Sequence, residues 1–282
     1  MKSFVLLLLL GLSFGSAIGQ ARPESKWVKV DKTRVRYYDI GNPKAKNALV
    51  LVHCWTCNVE FWKESYSAFP EYRVIAMDLP GHGQSDKPKI DYSADFFAKA
   101  INAVLKKADV KKAVLVGHSM GTPIIRKFYE RYPDKTLGLV IVDGGLIPYP
   151  DRAELDKFFE PIYRDYKNEA PRFIEGMLPY RAPQLAAFIR SSMLSTPEHV
   201  ATSSLRLMAD DAYAAHGKID VPVLAIMAPS PYWPSDLEAR YKALIPKLEF
   251  QLWADTGHFL QMERPAMFNS NVTDFVIRNK LL

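Results

Sequence analysis

The chain carries one serine whose neighbours suit it to nucleophilic chemistry. Gly117-His118-Ser119-Met120-Gly121 follows the apolar run 113–116 and precedes a helix-like stretch that begins at Thr122. Between a strand and a helix, a G-x-S-x-G segment forms a sharp turn. Its glycines relieve crowding where the backbone folds back, and the serine hydroxyl is left exposed above the sheet. The following helix aims its N-terminal N–H groups and positive dipole end at the same place, which favours developing negative charge. The plainer alternative is a glycine-flanked serine in an ordinary strand-to-helix loop, and the partners found elsewhere in the chain weigh against it.

A serine hydroxyl is a poor nucleophile until an imidazole accepts its proton, and that imidazole must afterwards protonate the leaving group. His53, His82 and His118 precede Ser119 inside turns that explain them locally, while His199 and His216 fall within or at the exit of a helical stretch. His258 follows the last strand-like run on the loop Ala254-Asp255-Thr256-Gly257. That loop can reach the sheet edge where Ser119 emerges, so His258 is the expected base.

The elements that must position these groups are legible as alternating patterns. Val-, Ile- and Leu-rich runs at 48–53, 72–77, 113–116, 137–142, 221–227 and 248–253 predict strands buried on both faces. Helical patterns near 92–107, 120–131, 235–244 and 265–279 lie between or after them, which predicts a parallel sheet covered on both sides. Segments 26–30 and 34–40 predict an antiparallel pair at the sheet edge. The stretch 146–218 has no strand-like run, yet it holds Phe158, Phe159, Tyr163, Tyr166, Phe173, Met177, Phe188, Met193 and Met208 at mostly helical spacings. It predicts a helical cap inserted into a core domain made of 20–145 and 219–282.

The serine segment, Asp78-Leu79-Pro80-Gly81-His82-Gly83-Gln84-Ser85-Asp86 and Gly257-His258-Phe259 occur in an order that resembles the α/β-hydrolase superfamily, over essentially everything from residue 26 onward. The resemblance implies an α/β-hydrolase fold: a mostly parallel twisted sheet flanked by helices, with an inserted helical cap. It implies a Ser-His-acid triad with the base last in the chain, here His258. It gives the turn at 80–85 a structural role and says little about substrate.

The resemblance also exposes two departures. In most relatives the acid follows the strand found here at 221–227, but this loop reads Ala228-Pro229-Ser230-Pro231-Tyr232-Trp233 and reaches no carboxylate before Asp236. Some members, haloalkane dehalogenases among them, place the acid after the preceding strand, which here delivers Asp143 just before Gly144-Gly145. Asp143 is therefore the first candidate and Asp236 the alternative acid, with Asp255 disfavoured by its closeness to His258. A non-catalytic aspartate capping the glycine turn is the competing reading of Asp143. The second departure concerns the oxyanion hole, whose first donor is expected to be the Met120 N–H. The second donor belongs to the loop where relatives read His-Gly-x. This chain reads His53-Cys54-Trp55, which makes Trp55 the donor by position and puts a Cβ where the backbone normally turns freely.

Cys54 and Cys57 are the chain's two cysteines. Their C-x-x-C spacing on a strand-to-helix turn is compatible with a redox pair, with a disulfide in an oxidising compartment, or with two free thiols. Two thiols lack the further ligands that a closed zinc site requires.

Residues 1–19 run from Met-Lys through a leucine-rich stretch to Ser16, Ala17 and Gly19, the charged, apolar and small-residue order of a secretory signal cleaved near Gln20. The apolar run falls short of the roughly 20 residues that span a bilayer, so no stable membrane insertion is expected after its removal. A secreted or periplasmic location follows. Net charge is +6, but basic residues are mixed with acids. The densest cluster, Lys106, Lys107, Lys111 and Lys112, flanks a strand start as a solvated helix end would, and no nucleic-acid partner is expected. No motif calls for a metal, nucleotide or other cofactor. The expectation is an exported serine hydrolase cleaving an ester or related acyl bond of a small-molecule substrate. Ser119 argues against epoxide hydrolase and dehalogenase chemistry, whose relatives attack with aspartate. The alternatives are a catalytically inactive binding protein of the same fold and a thiol redox protein using Cys54 and Cys57.

Overall fold

The computed structural model describes residues 22–146, 152–179, 181–209 and 217–282. The segment 1–19 read as a signal and His216 lie outside the described residues. Eight strands form one sheet: β1 (Lys26–Val30), β2 (Thr33–Ile40), β3 (Asn47–Val52), β4 (Val74–Met77), β5 (Lys112–His118), β6 (Thr136–Val142), β7 (Val223–Met227) and β8 (Leu248–Leu252). Their order is β1-β2-β4-β3-β5-β6-β7-β8. β2 pairs antiparallel with β1 and β4, and every other neighbouring pair is parallel. The edge pair and the parallel series fall where the apolar runs predict them.

Side chains alternate across the sheet, and each face builds its own core. Val50, Val52, Ala113, Leu115, Leu139 and Ile141 join one cluster with Phe97, Ile101 and Ile124 of helices α1 (Ala94–Lys107) and α2 (Gly121–Arg131). Leu49, Leu51, Val114, Val116, Val140 and Val142 face the other way, against Trp62 of a 3-10 helix (Val59–Ser65) and residues of the C-terminal helix. Both faces are covered, which explains the near-continuous apolar strands. Ser93 starts α1 by accepting the Phe96 N–H at 3.2 Å. Lys106 and Lys107 occupy its last turn, where the dipole favours cations, and Lys111 pairs with Asp109 at 2.8 Å. The lysine cluster is thus a helix end.

Between β6 and β7 the chain forms α3 (Arg152–Arg164), α4 (Tyr166–Glu175), α5 (Pro183–Leu194) and α6 (Glu198–Arg206). Phe159 and Met193 are buried, and three ring contacts tie this insertion to the body, Trp55 to Phe173 at 5.5 Å, Phe61 to Phe188 at 5.4 Å and Phe158 to Tyr232 at 5.3 Å. Three further helices, α7 (Leu237–Leu244), α8 (Leu260–Glu263) and α9 (Pro265–Arg278), complete the described chain.

The turn after β4 is organised by a buried carboxylate. Asp78 accepts the Val59 N–H at 2.8 Å and the Gln84 N–H at 2.7 Å, and it pairs with Arg36 at 2.8 Å. Gly83 sits at φ +51°, and a Cβ there would come within 2.3 Å of that carboxylate.

Candidate active site

The serine turn closes because its flanking residues lack side chains. A Cβ on Gly117 would lie 2.6 Å from the Gly121 carbonyl oxygen, and one on Gly121 would lie 2.6 Å from that of Val52. Ser119 itself adopts φ +52°, a left-handed conformation costly for a non-glycine residue. Its N–H donates to the Val142 carbonyl at 2.9 Å, and its carbonyl accepts the Thr122 N–H at 2.8 Å, so β6 and α2 both hold the turn. The half-buried Ser119 hydroxyl makes no hydrogen bond among the described residues.

His258 arrives from β8 on a loop anchored at two points. Gly257 donates its N–H to Glu263 at 3.0 Å, and burial raises the Glu263 carboxyl above its ordinary pKa. His118, next to Ser119, donates from Nε2 to the His258 carbonyl at 2.7 Å and accepts the Gln261 amide at Nδ1 at 3.1 Å. The His118 and His258 rings lie 4.8 Å apart. Burial holds the His118 imidazole well below its ordinary pKa, so it stays neutral, as one donated and one accepted bond require. The sequence reading gave His118 only a local role. What it missed is that this side chain ties the loop bearing His258 to the serine turn; its place beside the serine was the available signal.

His258 Nδ1 donates to Asp143 Oδ2 at 2.7 Å, leaving Nε2 free to accept a proton. The other Asp143 oxygen accepts the Ala228 N–H at 3.0 Å and the Trp233 indole N–H at 3.4 Å. Asp143 is 4% exposed and sits at φ +42°. Its turn is compact because Gly144 packs on the serine turn, where a Cβ would lie 2.1 Å from Thr122 Oγ1. Asp236 is not the partner of His258: it stands at the start of α7, is largely exposed and pairs with Arg240 at 2.8 Å. Asp255 is exposed.

Neither the Trp55 nor the Met120 N–H has an acceptor among the described residues, although both residues are buried. The loop carrying Trp55 rises from β3, whose last carbonyl packs on Gly121, one residue beyond Met120. Cys54 and Cys57 form a disulfide with Cα atoms 5.3 Å apart, and both are buried. The left-handed residue of this loop is Thr56, at φ +53°, rather than Cys54, so the Cβ at position 54 meets no backbone conflict.

Three other histidines are each held by backbone groups. His53 donates to the Cys54 carbonyl and accepts the Leu79 N–H, and burial lowers its pKa to about 4. His82 bonds the Pro80 carbonyl, with burial lowering its pKa to about 3. His199 bonds the Lys87 carbonyl.

A doubly covered, mostly parallel sheet with a serine turn after its fifth strand and a histidine after its last is the arrangement that the resemblance to α/β-hydrolases implies. Residues 47–214 match the family described as alpha/beta hydrolase fold, and the chain belongs to it. It is 29% identical over 278 residues to a 2-hydroxy-6-oxononadienedioate/2-hydroxy-6-oxononatrienedioate hydrolase of Paraburkholderia phymatum, spanning 89% of this chain and 95% of that one. Among solved structures it is similar to an N-acyl homoserine lactone degrading enzyme, with 26% identity and a TM-score of 0.73 over 89% of this chain and all of that one. An esterase from Exiguobacterium antarcticum shares the fold with a TM-score of 0.77 at 20% identity, over 90% of this chain and 99% of that one. Family and full-length relatives place the chain among the hydrolases.

Proposed function

We propose that the protein is a serine hydrolase acting on a carboxylic ester or related acyl bond. Ser119 attacks the acyl carbonyl while His258 Nε2 accepts its proton, and Asp143 orients and stabilises the imidazolium that forms. The Trp55 and Met120 N–H groups receive the charge that develops on the carbonyl oxygen. His258 then protonates the leaving group, and water, deprotonated by the same imidazole, releases the acyl-enzyme. The observation that carries this reading is the 2.7 Å bond between His258 and Asp143, made beside a serine whose turn excludes side chains on both flanks. The unpaired serine hydroxyl is compatible with it, since catalytic hydrogen bonds are often long without substrate and tighten in the complex.

The test is labelling with a fluorophosphonate probe, alongside turnover of p-nitrophenyl esters of increasing acyl length. Modification of Ser119 that disappears in His258→Ala, with turnover lost in Ser119→Ala, supports the reading. A folded parent that neither labels nor turns over leaves the inactive binding protein as the better account. Thiol exchange through Cys54 and Cys57 is disfavoured by their burial, since exchange requires access to a sulfur.

Export belongs to the same proposal. Its supports are the pattern of residues 1–19 and the Cys54–Cys57 disulfide, which suits an oxidising compartment. Mass analysis of the mature chain tests it, with an N-terminus near Gln20 expected and an intact Met1 contradicting it.

A further inference from the structure

An oxyanion donor is useful only if its direction is set before the charge appears, because reorientation during the reaction would cost what the hydrogen bond gains. The Trp55 N–H has no acceptor among the described residues, so no bond of its own aims it. Its direction must come from the covalent and packing constraints on either side.

Those constraints converge on a four-residue loop. On the outer side the cap holds it: the Trp55 indole donates to the Ala201 carbonyl at 2.8 Å, and Thr196 Oγ1 donates to the Thr56 carbonyl at 3.0 Å. On the inner side His53 Nδ1 donates to the Cys54 carbonyl at 2.8 Å, and the Cys57 N–H donates to the same carbonyl at 3.2 Å. Thr56 occupies a left-handed conformation that a threonine resists, so the loop needs an external restraint to keep it. The Cys54–Cys57 disulfide closes a ring around Trp55 and Thr56 alone, and both cysteines are buried.

We infer that the Cys54–Cys57 disulfide is a positioning element for catalysis, holding the Trp55 N–H toward the oxygen that becomes negative during attack by Ser119. This rests on the acyl-transfer reading above and assigns the C-x-x-C pair a role within it. The cysteines touch no reacting atom. They act through the peptide plane between Cys54 and Trp55, whose orientation the cross-link restricts. A cross-link serving only to stabilise the fold would alter melting temperature and leave the chemical step untouched.

The experiment compares the parent, Ser119→Ala and Cys54→Ser/Cys57→Ser using p-nitrophenyl acetate, with phenylboronic acid as a reversible mimic of the tetrahedral adduct. Folding is checked by circular dichroism. Since removing an oxyanion donor outright costs about 10²–10³ in rate, a misaimed one is expected to lower kcat about 10- to 100-fold. KM is expected to stay within about threefold, because the interaction belongs to the transition state. The affinity for phenylboronic acid falls by the same factor as kcat. Should the serine pair fail to fold, Cys54→Val/Cys57→Val places an apolar γ carbon where each sulfur stood and is read in the same way. A folded cysteine-free variant with parental kcat and boronate affinity overturns the role given to the disulfide while leaving Ser119 chemistry intact. A parent without Ser119-dependent turnover overturns both readings.

Discussion

His258 and Asp143 are joined at 2.7 Å across 115 positions of sequence, and the bond exists because β6 and β8 end on the same side of the sheet with only β7 between them. The last residue of β6 is Val142, so Asp143 leaves the sheet where the loop after β8 folds back. Its second oxygen is occupied by the Ala228 N–H, from the strand end at which the sequence offers no carboxylate. The end of the neighbouring strand thus supplies a donor that fixes the Asp143 carboxylate.

Replacing Asp143 with Asn is expected to lower turnover about 10⁴-fold while the protein stays folded, because the imidazole then loses its anionic partner and favoured tautomer. Asp236→Asn removes an exposed pair with Arg240 and is expected to stay within about twofold of the parent. Steady-state kinetics on an activated ester, with circular dichroism as the folding check, compare the two. Parental turnover in Asp143→Asn would remove the acid role from that residue.

Stability is expected to decline as pH falls from about 6.5 toward 4. His53 and His82 are buried neutral, with folded pKa values of about 4 and about 3, whereas in the unfolded chain each titrates near 6.5. Above pH 6.5 both states are neutral and neither group affects stability. Below it the unfolded state binds protons that the folded state refuses, so the cost grows until the folded pKa is reached. For His53 this amounts to about 3 kcal/mol by pH 4. Urea titrations at pH 7, 6 and 5 measure the slope, and His53→Gln is expected to flatten it by close to one proton.

Gly144→Ala places a Cβ 2.1 Å from Thr122 Oγ1 and 2.8 Å from the Ser119 carbonyl oxygen, driving the acid-bearing turn against the serine turn. A stability loss of about 1–3 kcal/mol is expected, with a fall in kcat. Gly176→Ala is the contrast: its nearest neighbour would be 3.5 Å away at an ordinary φ of −64°, so it is expected to be neutral or stabilising by up to about 1 kcal/mol. Thermal melts and kinetics of the pair test this, and equal behaviour would show the contact to be slack.

Asp78→Ala leaves Arg36 buried without its closest partner and strips two backbone N–H groups of their acceptor. It is expected to cost about 3–5 kcal/mol. If the turn that Asp78 organises is structural, kcat measured well below the melting temperature stays near the parent value. A large kcat loss in a folded sample would give the turn a catalytic share.

The order of elements was legible because the central strands are buried on both faces and must read as apolar runs, and each helix must present a stripe. Ser119 was legible because its turn tolerates only glycine on either side, a constraint written into five consecutive residues. Asp143 and Asp236 were harder to separate, since an aspartate after a strand and one before a helix both have ordinary structural uses. His118 escaped notice because its partner, the His258 carbonyl, lies 140 positions away. The state of Cys54 and Cys57 was open because two cysteines three apart can be free, bonded or ligating.

By itself the sequence determined the α/β-hydrolase architecture, the serine turn and the histidine loop, because local burial and backbone geometry leave their marks on adjacent residues. Only the tertiary structure decided which carboxylate meets the imidazole, that His118 anchors the loop opposite and that Thr56 carries the left-handed turn beside a closed disulfide. Those outcomes depend on which strand ends converge in space, and convergence between distant segments imposes no local pattern on either one.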